Sequence, residues 1–246
     1  MADALEQAII ANLHASAGLP VRVEHGFPAE PQIGVDADTP QLVVAGQDTR
    51  WLRVWRNSRC LVTSRRQGRM PRFAEAAAAS AATGWPVAVR RSGGTTVAHR
   101  SGVLNISLAS LRAGDGNPAV RQYYLALLEI IARALEPFGI AAGHGAVARA
   151  HCDGDYNLVW QGRKLAGTAG FVTRVNGTGL RVFHASLAVD GDLDEDLTAI
   201  ERFEQALGES ADYDRRSHVS VAQIIADRIT QPTGSIPQRA TLTGER

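Results

Sequence analysis

Two short segments carry residue types that could do chemistry. In HCDGDYNLVWQGRKLAG, Cys152 and Lys164 stand twelve residues apart, with a turn-capable Gly154 beside the cysteine and Gly162 just before the lysine. A thiol is nucleophilic as its thiolate, and a free cysteine ionises near pH ~8.5, so it needs a cation beside it. Lys164 or the adjacent His151 could supply one. The second segment, RRSGGTTVAHRSGVLNISL, holds the glycine pair Gly93 and Gly94. Such a pair lets backbone approach a ligand and turns N–H groups toward it, which suits an acyl chain or a phosphate. No Gly-Lys-Ser/Thr follows, and the glycine spacing is wrong for a dinucleotide fingerprint. Each residue alone has a plain structural reading: Gly-Gly as a turn, Lys164 as a solvated lysine, an unpaired cysteine as a small buried hydrophobe. Cys60, inside RCLVTS, takes that last reading. His144, His151, Cys152 and Asp153 cluster locally but lack the paired spacing of zinc sites, so no metal centre is expected.

These residues need elements to position them. Residues 3–14 have the mixed three- and four-residue apolar spacing of a helix that packs on the core, stopped by Gly18 and Pro20. Residues 20–50 read as loop with a short apolar run, LVVA. WLRVWRNSRCLVTS alternates as one or two strands, FAEAAAASAATG is a helix capped at Gly84, and WPVAVRR is a strand. VLNISLASL is a strand, and a strongly periodic helix follows from about Ala119 to Pro137. YNLVWQ and KLAGTAGFV form a hairpin about Gly162, VFHASLAV is a further strand, and residues 193–230 are helical before a loose tail. The expected fold is α+β: a single domain with a mixed central β-sheet flanked by helices. Its parts are an N-terminal helix and loop extension (1–50), a catalytic domain (51–230) and a flexible tail (231–246).

The bulk numbers set limits. At 246 residues one sizeable core is expected, and 26 Lys+Arg against 25 Asp+Glu gives a net charge of +1, with no global pull toward nucleic acid or anionic membrane. Two cysteines are too few for a disulfide scaffold. No basic leader opens the chain and no run of 18 or more apolar residues occurs, so a cytoplasmic, non-membrane protein is expected.

Taken whole, Arg-x-Ser-Gly-Gly, then a valine, then Gly-Val-Leu-Asn resembles the central loop and strand of the lipoate/biotin protein ligase superfamily. Its ligases carry RRxSGGGxVxH; here Thr95 replaces the third glycine and His99 is kept. The string GRKLAG resembles the superfamily's Gly-basic-Lys-x-Ala/Ser-Gly signature. Cys-x-Gly-x-Tyr-Asx-Leu before it is similar to the octanoyl amidotransferases that move an acyl group from the glycine-cleavage H protein to dehydrogenase lipoyl domains. Cys152, Gly154, Tyr156, Asn157 and Leu158 match without a gap, although Asn157 stands where aspartate is commoner and His184 where ligases tend to show His-Gly. The likeness spans residues 50–205.

The resemblance implies a lipoate ligase/octanoyltransferase-like fold in which Arg91, Ser92, Gly93, Gly94, Val97, His99, Asn105, Gly167, Thr168, Ala169 and His184 bind the acyl group. Lys164 would contact the acyl carbonyl. Cys152 would attack the donor thioester, and a carrier-domain lysine would then take the acyl group as an amide, with no cofactor required. The implied partners are lipoyl carrier domains, namely the glycine-cleavage H protein and the acyl carriers of 2-oxoacid dehydrogenases, met by a monomer. Such domains are generally acidic, so Arg65, Arg66, Arg69 and Arg72 read either as a docking face for them or as a solvated basic loop. Two alternatives stand beside this. One is a lipoate-protein ligase using ATP and magnesium, with Lys164 holding a lipoyl-adenylate and Cys152 incidental; the short chain beyond residue 205 argues against its usual accessory domain. The other is a non-catalytic acyl- or biotin-binding module, which would not need both Cys152 and Lys164. A DNA-binding helix pair has no candidate in residues 1–50, which hold one helix.

Overall fold

Side chains alternate along a strand, so a strand covered on both faces serves two layers at once. In the computed structural model, which describes residues 2–24, 49–112, 120–175 and 178–230, that alternation places the site. The chain runs α1 (Ala2–Ala17), β1 (Val21–Val23), β2 (Thr49–Trp55), β3 (Cys60–Ser64), a helical turn α2 (Arg65–Gly68), α3 (Phe73–Ala82), β4 (Val87–Arg90), β5 (Val97–His99) and β6 (Val103–Arg112). It continues through α4 (Val120–Leu135), β7 (Gly143–Gly145), β8 (Asn157–Trp160), β9 (Arg163–Val175), β10 (Thr178–Ala188), α5 (Leu193–Leu207) and α6 (Val221–Thr230). Short 3-10 turns lie at Glu136–Phe138 and Arg215–Ser217.

Two sheets form. A seven-stranded sheet has the order β1-β2-β6-β10-β9-β8-β7, with β1 and β2 parallel and its other neighbours antiparallel. A three-stranded sheet has the order β4-β3-β5, in which α2 and α3 form the crossover between the parallel strands β3 and β4. One face of the large sheet presents Leu52, Val54, Leu104, Ile106, Phe183, Ala185 and Leu187 to α1 and α4, which bury Ile9, Leu13, Leu127 and Ile131 against it. The small sheet buries Leu61 and Ala98 against Trp85 and the α5 residues Ile200, Phe203 and Leu207. The intervening residues Val62, Val97 and His99 therefore face the large sheet's other side, where Asn105, His184 and Ser186 stand.

The mixed sheet flanked by helices agrees with the sequence reading, with a second small sheet added. Helix α1 packs in the main core as its spacing predicts, and β1 extends the sheet. Gly84 takes a left-handed φ of 83° after α3, and Gln161 and Gly162, at φ 47° and 76°, make the two-residue turn of the β8–β9 hairpin. The helix expected over 193–230 is two helices. Left-handed Gly208 caps α5, and Ser220 and Gln223 exchange hydrogen bonds as a capping box that starts α6. Arg65–Gly68 is a helical turn between β3 and α3. The LVVA run and the tail 231–246 lie outside the described residues.

One ion pair ties the β5–β6 turn to α5. Arg100 grips Asp196 with two hydrogen bonds of 2.6 Å and donates further to Ser101 O and Asp190 O, and both partners are buried. Removing one member of such a pair strands a charge. Asp196→Ala is expected to lower unfolding free energy by about 3–5 kcal/mol in urea titration; a loss below about 1 kcal/mol would mean the pair behaves as a surface bridge.

Candidate active site

Between the two sheets lies an open cavity of about 660 Å³, mouth included. Trp55, Val62, Val97, Ala169 and Phe171 give it apolar walls. One chain of hydrogen bonds crosses it: Asn57 Nδ2 to His99 Nδ1 (3.2 Å), His99 Nε2 to Ser186 Oγ (3.1 Å), and Ser186 Oγ to Asn105 Oδ1 (2.8 Å). Burial, with Arg90 and His184 nearby, pushes the His99 pKa down to about 3. His99 is therefore neutral, accepting from Asn57 and donating to Ser186. Ser92 Oγ and His184 Nε2 meet at 2.8 Å on another wall.

Cys152 stands at this cavity on a backbone of φ 45°, a left-handed conformation uncommon for a non-glycine residue and found where structure holds a reactive group in place. Thr95 N–H donates to its sulfur at 3.2 Å, and Arg90 Nη2 lies 4.0 Å away. Arg90 is buried and clamps the glycine loop through Gly93 O (2.8 Å), Thr95 O (2.6 Å) and Val62 O (2.6 Å). Burial lowers its pKa while Cys152 and Glu204 favour its charged form; a guanidinium remains a cation regardless. On the loop's other side, buried Glu204 of α5 accepts from Thr96 N (3.0 Å), Gln67 Nε2 (3.0 Å) and Tyr213 OH (2.5 Å). The cysteine's own loop is buckled by Asn157, whose Nδ2 donates to Gly154 O, Gly145 O and Asp153 Oδ1. An aspartate there could donate to none of them.

Lys164 is buried and spends its ammonium on two carbonyls, His151 O (2.5 Å) and Cys152 O (3.0 Å). Burial lowers its pKa to about 8, against the pull of Cys152 and Asp153. A Cβ on Gly167 would lie 3.1 Å from Lys164 Nζ, so the glycine makes room for the lysine. Lys164 faces a second cavity that shares Val97, Gly167 and Ser186 with the first and is floored by Leu197 and Ile200 of α5. His151 stacks on His218, with Nδ1 and Nε2 2.9 Å apart, and His218 Nδ1 meets Asp214 O. Burial and then Lys164 hold His151 well below the usual histidine pKa and His218 down to about 4.

Of the residues expected from sequence, Arg91, Ser92, Val97, His99, Asn105, Cys152, Gly167, Thr168, Ala169 and His184 line the first cavity together. Gly93, Gly94 and Lys164 are not on its wall. Gly93 accepts from Arg90, and Gly94 abuts Cys152. The cation expected beside the thiol was Lys164 or His151; the structure puts Arg90 there, because His151 is neutral and turned to His218 while Lys164 holds carbonyls. Sequence reasoning missed Arg90, Thr95, Ser186, Glu204 and Tyr213 as site residues. For Arg90 a signal existed: as the last residue of β4 it takes the inward face, and Arg91 after it stays exposed.

The cavity thus has apolar walls, a glycine loop at its border and the thiol of Cys152 on its lining. Residues 34–233 match the lipoyl protein ligase A/B catalytic domain, and the chain belongs to that family. An uncharacterised protein of Cupriavidus necator is 33% identical over 196 residues, spanning 75% of this chain and 78% of that protein. The octanoyl-GcvH:protein N-octanoyltransferases of Kyrpidia tusciae and Geobacillus kaustophilus are 36% and 32% identical over 57% of this chain. The chain spans about half the length of those two transferases, 48% and 50%. The fold is similar to lipoate-protein ligase A bound with ATP (TM-score 0.57, 16% identity, 86% of this chain and 94% of that one). It is also similar to the bipartite lipoate protein ligase of Thermoplasma acidophilum (TM-score 0.51, 19% identity, 86% and 82%).

Gly94 offers a direct check of the sulfur's surroundings. At its φ of 90° a Cβ would sit 2.7 Å from Cys152 Sγ and 2.9 Å from Arg90 Nη2, whereas a Cβ on Gly93 meets nothing within 4 Å. Gly94→Ala should slow iodoacetamide alkylation of Cys152 about tenfold, the worth of one charge-assisted hydrogen bond of ~1.5 kcal/mol, and Gly93→Ala should not. Equal rates in the two variants would mean that the loop does not hold the sulfur.

Proposed function

We propose that the protein is an acyltransferase that carries an octanoyl or lipoyl group as a thioester on Cys152 and passes it to a lysine of a lipoyl carrier domain. The observation that carries this reading is the position of Cys152 at an apolar-walled cavity, with Thr95 N–H and the Arg90 guanidinium directed at its sulfur. Donors so placed hold a sulfur anion, and a nucleophile that forms a covalent intermediate divides one difficult transfer into two easier ones. The sulfur adds to the acyl carbonyl and the donor heteroatom departs with a proton; a lysine amine on the acceptor then adds to the thioester and releases Cys152. The octanoyltransferase relatives take their acyl group from GcvH by name. If that group is held as a lysine amide, rather than as a thioester, the bonds broken and formed overall are of one kind and no nucleotide need drive the cycle.

Apolar Trp55, Val97, Ala169 and Phe171 would enclose the chain, with Ser92, Thr168 and His184 shaping its course. Lys164 positions the nucleophile by holding the Cys152 loop through its carbonyls. A free catalytic thiol suits a reducing compartment, which supports a cytoplasmic site of action. Cys60 is buried and its thiol pushed up to about 12 by burial, so a single adduct is expected.

Intact mass after incubation with octanoylated GcvH, and separately with lipoate, ATP and magnesium, tests this reading. The expected result is one hydroxylamine-labile octanoyl adduct that Cys152→Ser lacks. Carrier acylation that needs ATP and survives Cys152→Ser would make the protein a ligase instead.

The carrier partner would meet exposed Arg65, Arg69 and Arg72, with Arg66 tied to Glu209. This patch adjoins the site because Gly68 packs on Val89, next to Arg90. Complementary charge across such a face mainly speeds encounter and is screened by salt. The doubly reversed variant Arg65→Glu, Arg69→Glu should raise KM for an acidic carrier at low ionic strength, with the difference shrinking in added salt. An unchanged KM at low salt would remove the patch from the docking face.

A further inference from the structure

Two cavities meet at Cys152. Cys152 itself lines the first; Lys164, which binds the Cys152 carbonyl, lines the second; and Val97, Gly167 and Ser186 belong to both. When an acyl chain on Cys152 fills the first, an acceptor lysine needs another approach to the same carbonyl carbon. Val103, Leu165, Leu197, Ile200 and Val219 give the second cavity apolar walls, which suit the aliphatic stem of a lysine arm. At the shared end Lys164 abuts Gly167, with His151 and His218 beside it. Among the described residues of this lining, His151 has the one base with a lone pair to spare. The Lys164 ammonium is spent on carbonyls, Asp196 is gripped by Arg100, and the Ser186 hydroxyl serves His99 and Asn105. Both histidines are neutral. Asp214 O only accepts, so His218 Nδ1 carries the proton and His218 Nε2 accepts from His151 N–H (3.2 Å) and Nδ1–H (2.9 Å). His151 Nε2 is thereby unprotonated, and the residue is half-buried rather than sealed. Tyr213 links it to the sulfur's surroundings. Its ring meets His151 edge-on at 6.2 Å between centroids, and its hydroxyl binds Glu204, which holds the loop whose Thr95 N–H is on Cys152.

We infer that the second cavity receives the aliphatic arm of the acceptor lysine, amine end toward Cys152, and that His151 takes the amine's proton through Nε2, with His218 a positioning residue that fixes its tautomer. The inference rests on the cysteine-transferase reading above and gives a place to the second half of that cycle. The amine nitrogen forms its bond to the thioester carbon, and the C=O π pair moves onto oxygen. His151 Nε2 takes one N–H proton. The π pair returns as the C–S bond breaks, which leaves an amide and the Cys152 thiolate, and His151 gives its proton to that sulfur. Lys164 at the same end opposes a second cation, so the arm enters as the neutral amine that attack requires.

The test discharges one intermediate onto two acceptors. Octanoyl-Cys152, formed from the octanoyl thioester of N-acetylcysteamine, is offered either an unacylated lipoyl carrier domain, whose lysine must lose a proton, or the thiolate of 2-mercaptoethanol, which has neither proton to lose nor arm to place. His151→Ala should slow discharge onto the domain about 10²-fold, the low end of what a general base supplies, with discharge onto the thiolate unchanged. His218→Ala should show the same selectivity with a smaller loss. Ala188→Leu fills the second cavity without reaching the lining of the first and provides the measurement if His151→Ala does not fold. It too should slow the domain reaction about 10²-fold, the cost of displacing a reactant by ~1 Å. Equal slowing with both acceptors, or domain acylation at the wild-type rate in the folded variants, would overturn the assignment. So would ATP that competes with the domain in the wild type and no longer does so in Ala188→Leu, since the cavity would then belong to a nucleotide. Failure of the transferase reading looks different: the wild-type protein itself would form no octanoyl adduct to discharge.

Discussion

A guanidinium buried away from water must have its donors met by the protein, and Arg90 is the group on which this site turns. Its donors take the carbonyls of Val62, Gly93 and Thr95. Those bonds fold the glycine loop back on itself and leave one edge of the cation and the Thr95 N–H facing Cys152. Burying a lone cation would be prohibitive. Buried Glu204, three-quarters of the chain away from α1 and more than a hundred residues after Arg90, supplies opposite charge from α5 and holds Thr96 N–H. Loop, cation and carboxylate thus form one unit, and the sulfur is placed against it.

The two sheets set the rest. Because β3 and β5 give alternate residues to the helices behind them and to the large sheet in front, the cavity is lined by strands rather than by loops alone. Its walls accordingly have fixed geometry, and a polar chain from Asn57 to Asn105 can run through an otherwise apolar space with its members aligned. On the opposite side the cysteine's loop is held by Lys164 and Asn157 through backbone carbonyls. Cys152 thus stands between two loops whose main chains are pinned by Arg90 on one side and by Lys164 and Asn157 on the other.

Much of this was legible in the sequence because it is local. The cysteine, the lysine twelve residues on, the glycine pair and the strands around them are short-range patterns, and ten of the thirteen expected site residues meet at one cavity. What was not legible depends on direction. Nothing in Gly-Arg-Lys says that Lys164 points at carbonyls rather than at ligand, and nothing near Cys152 says that its cation arrives from β4. Glu204 and Tyr213 lay in a stretch read only as helix, and their contacts exist because α5 ends at a left-handed glycine and the chain turns back toward the loop. The capping box at Ser220 was readable and would have divided that stretch into two helices.

The central claim is that the space between the sheets receives an acyl chain attached to Cys152. A crystal structure of the protein acylated with octanoate tests it most directly. The account predicts a thioester at Cys152 with the chain running between Val97 and Ala169 toward Trp55 and Phe171. Octanoate bound in the neighbouring cavity against Leu197 and Ile200, or joined to any residue other than Cys152, would contradict it.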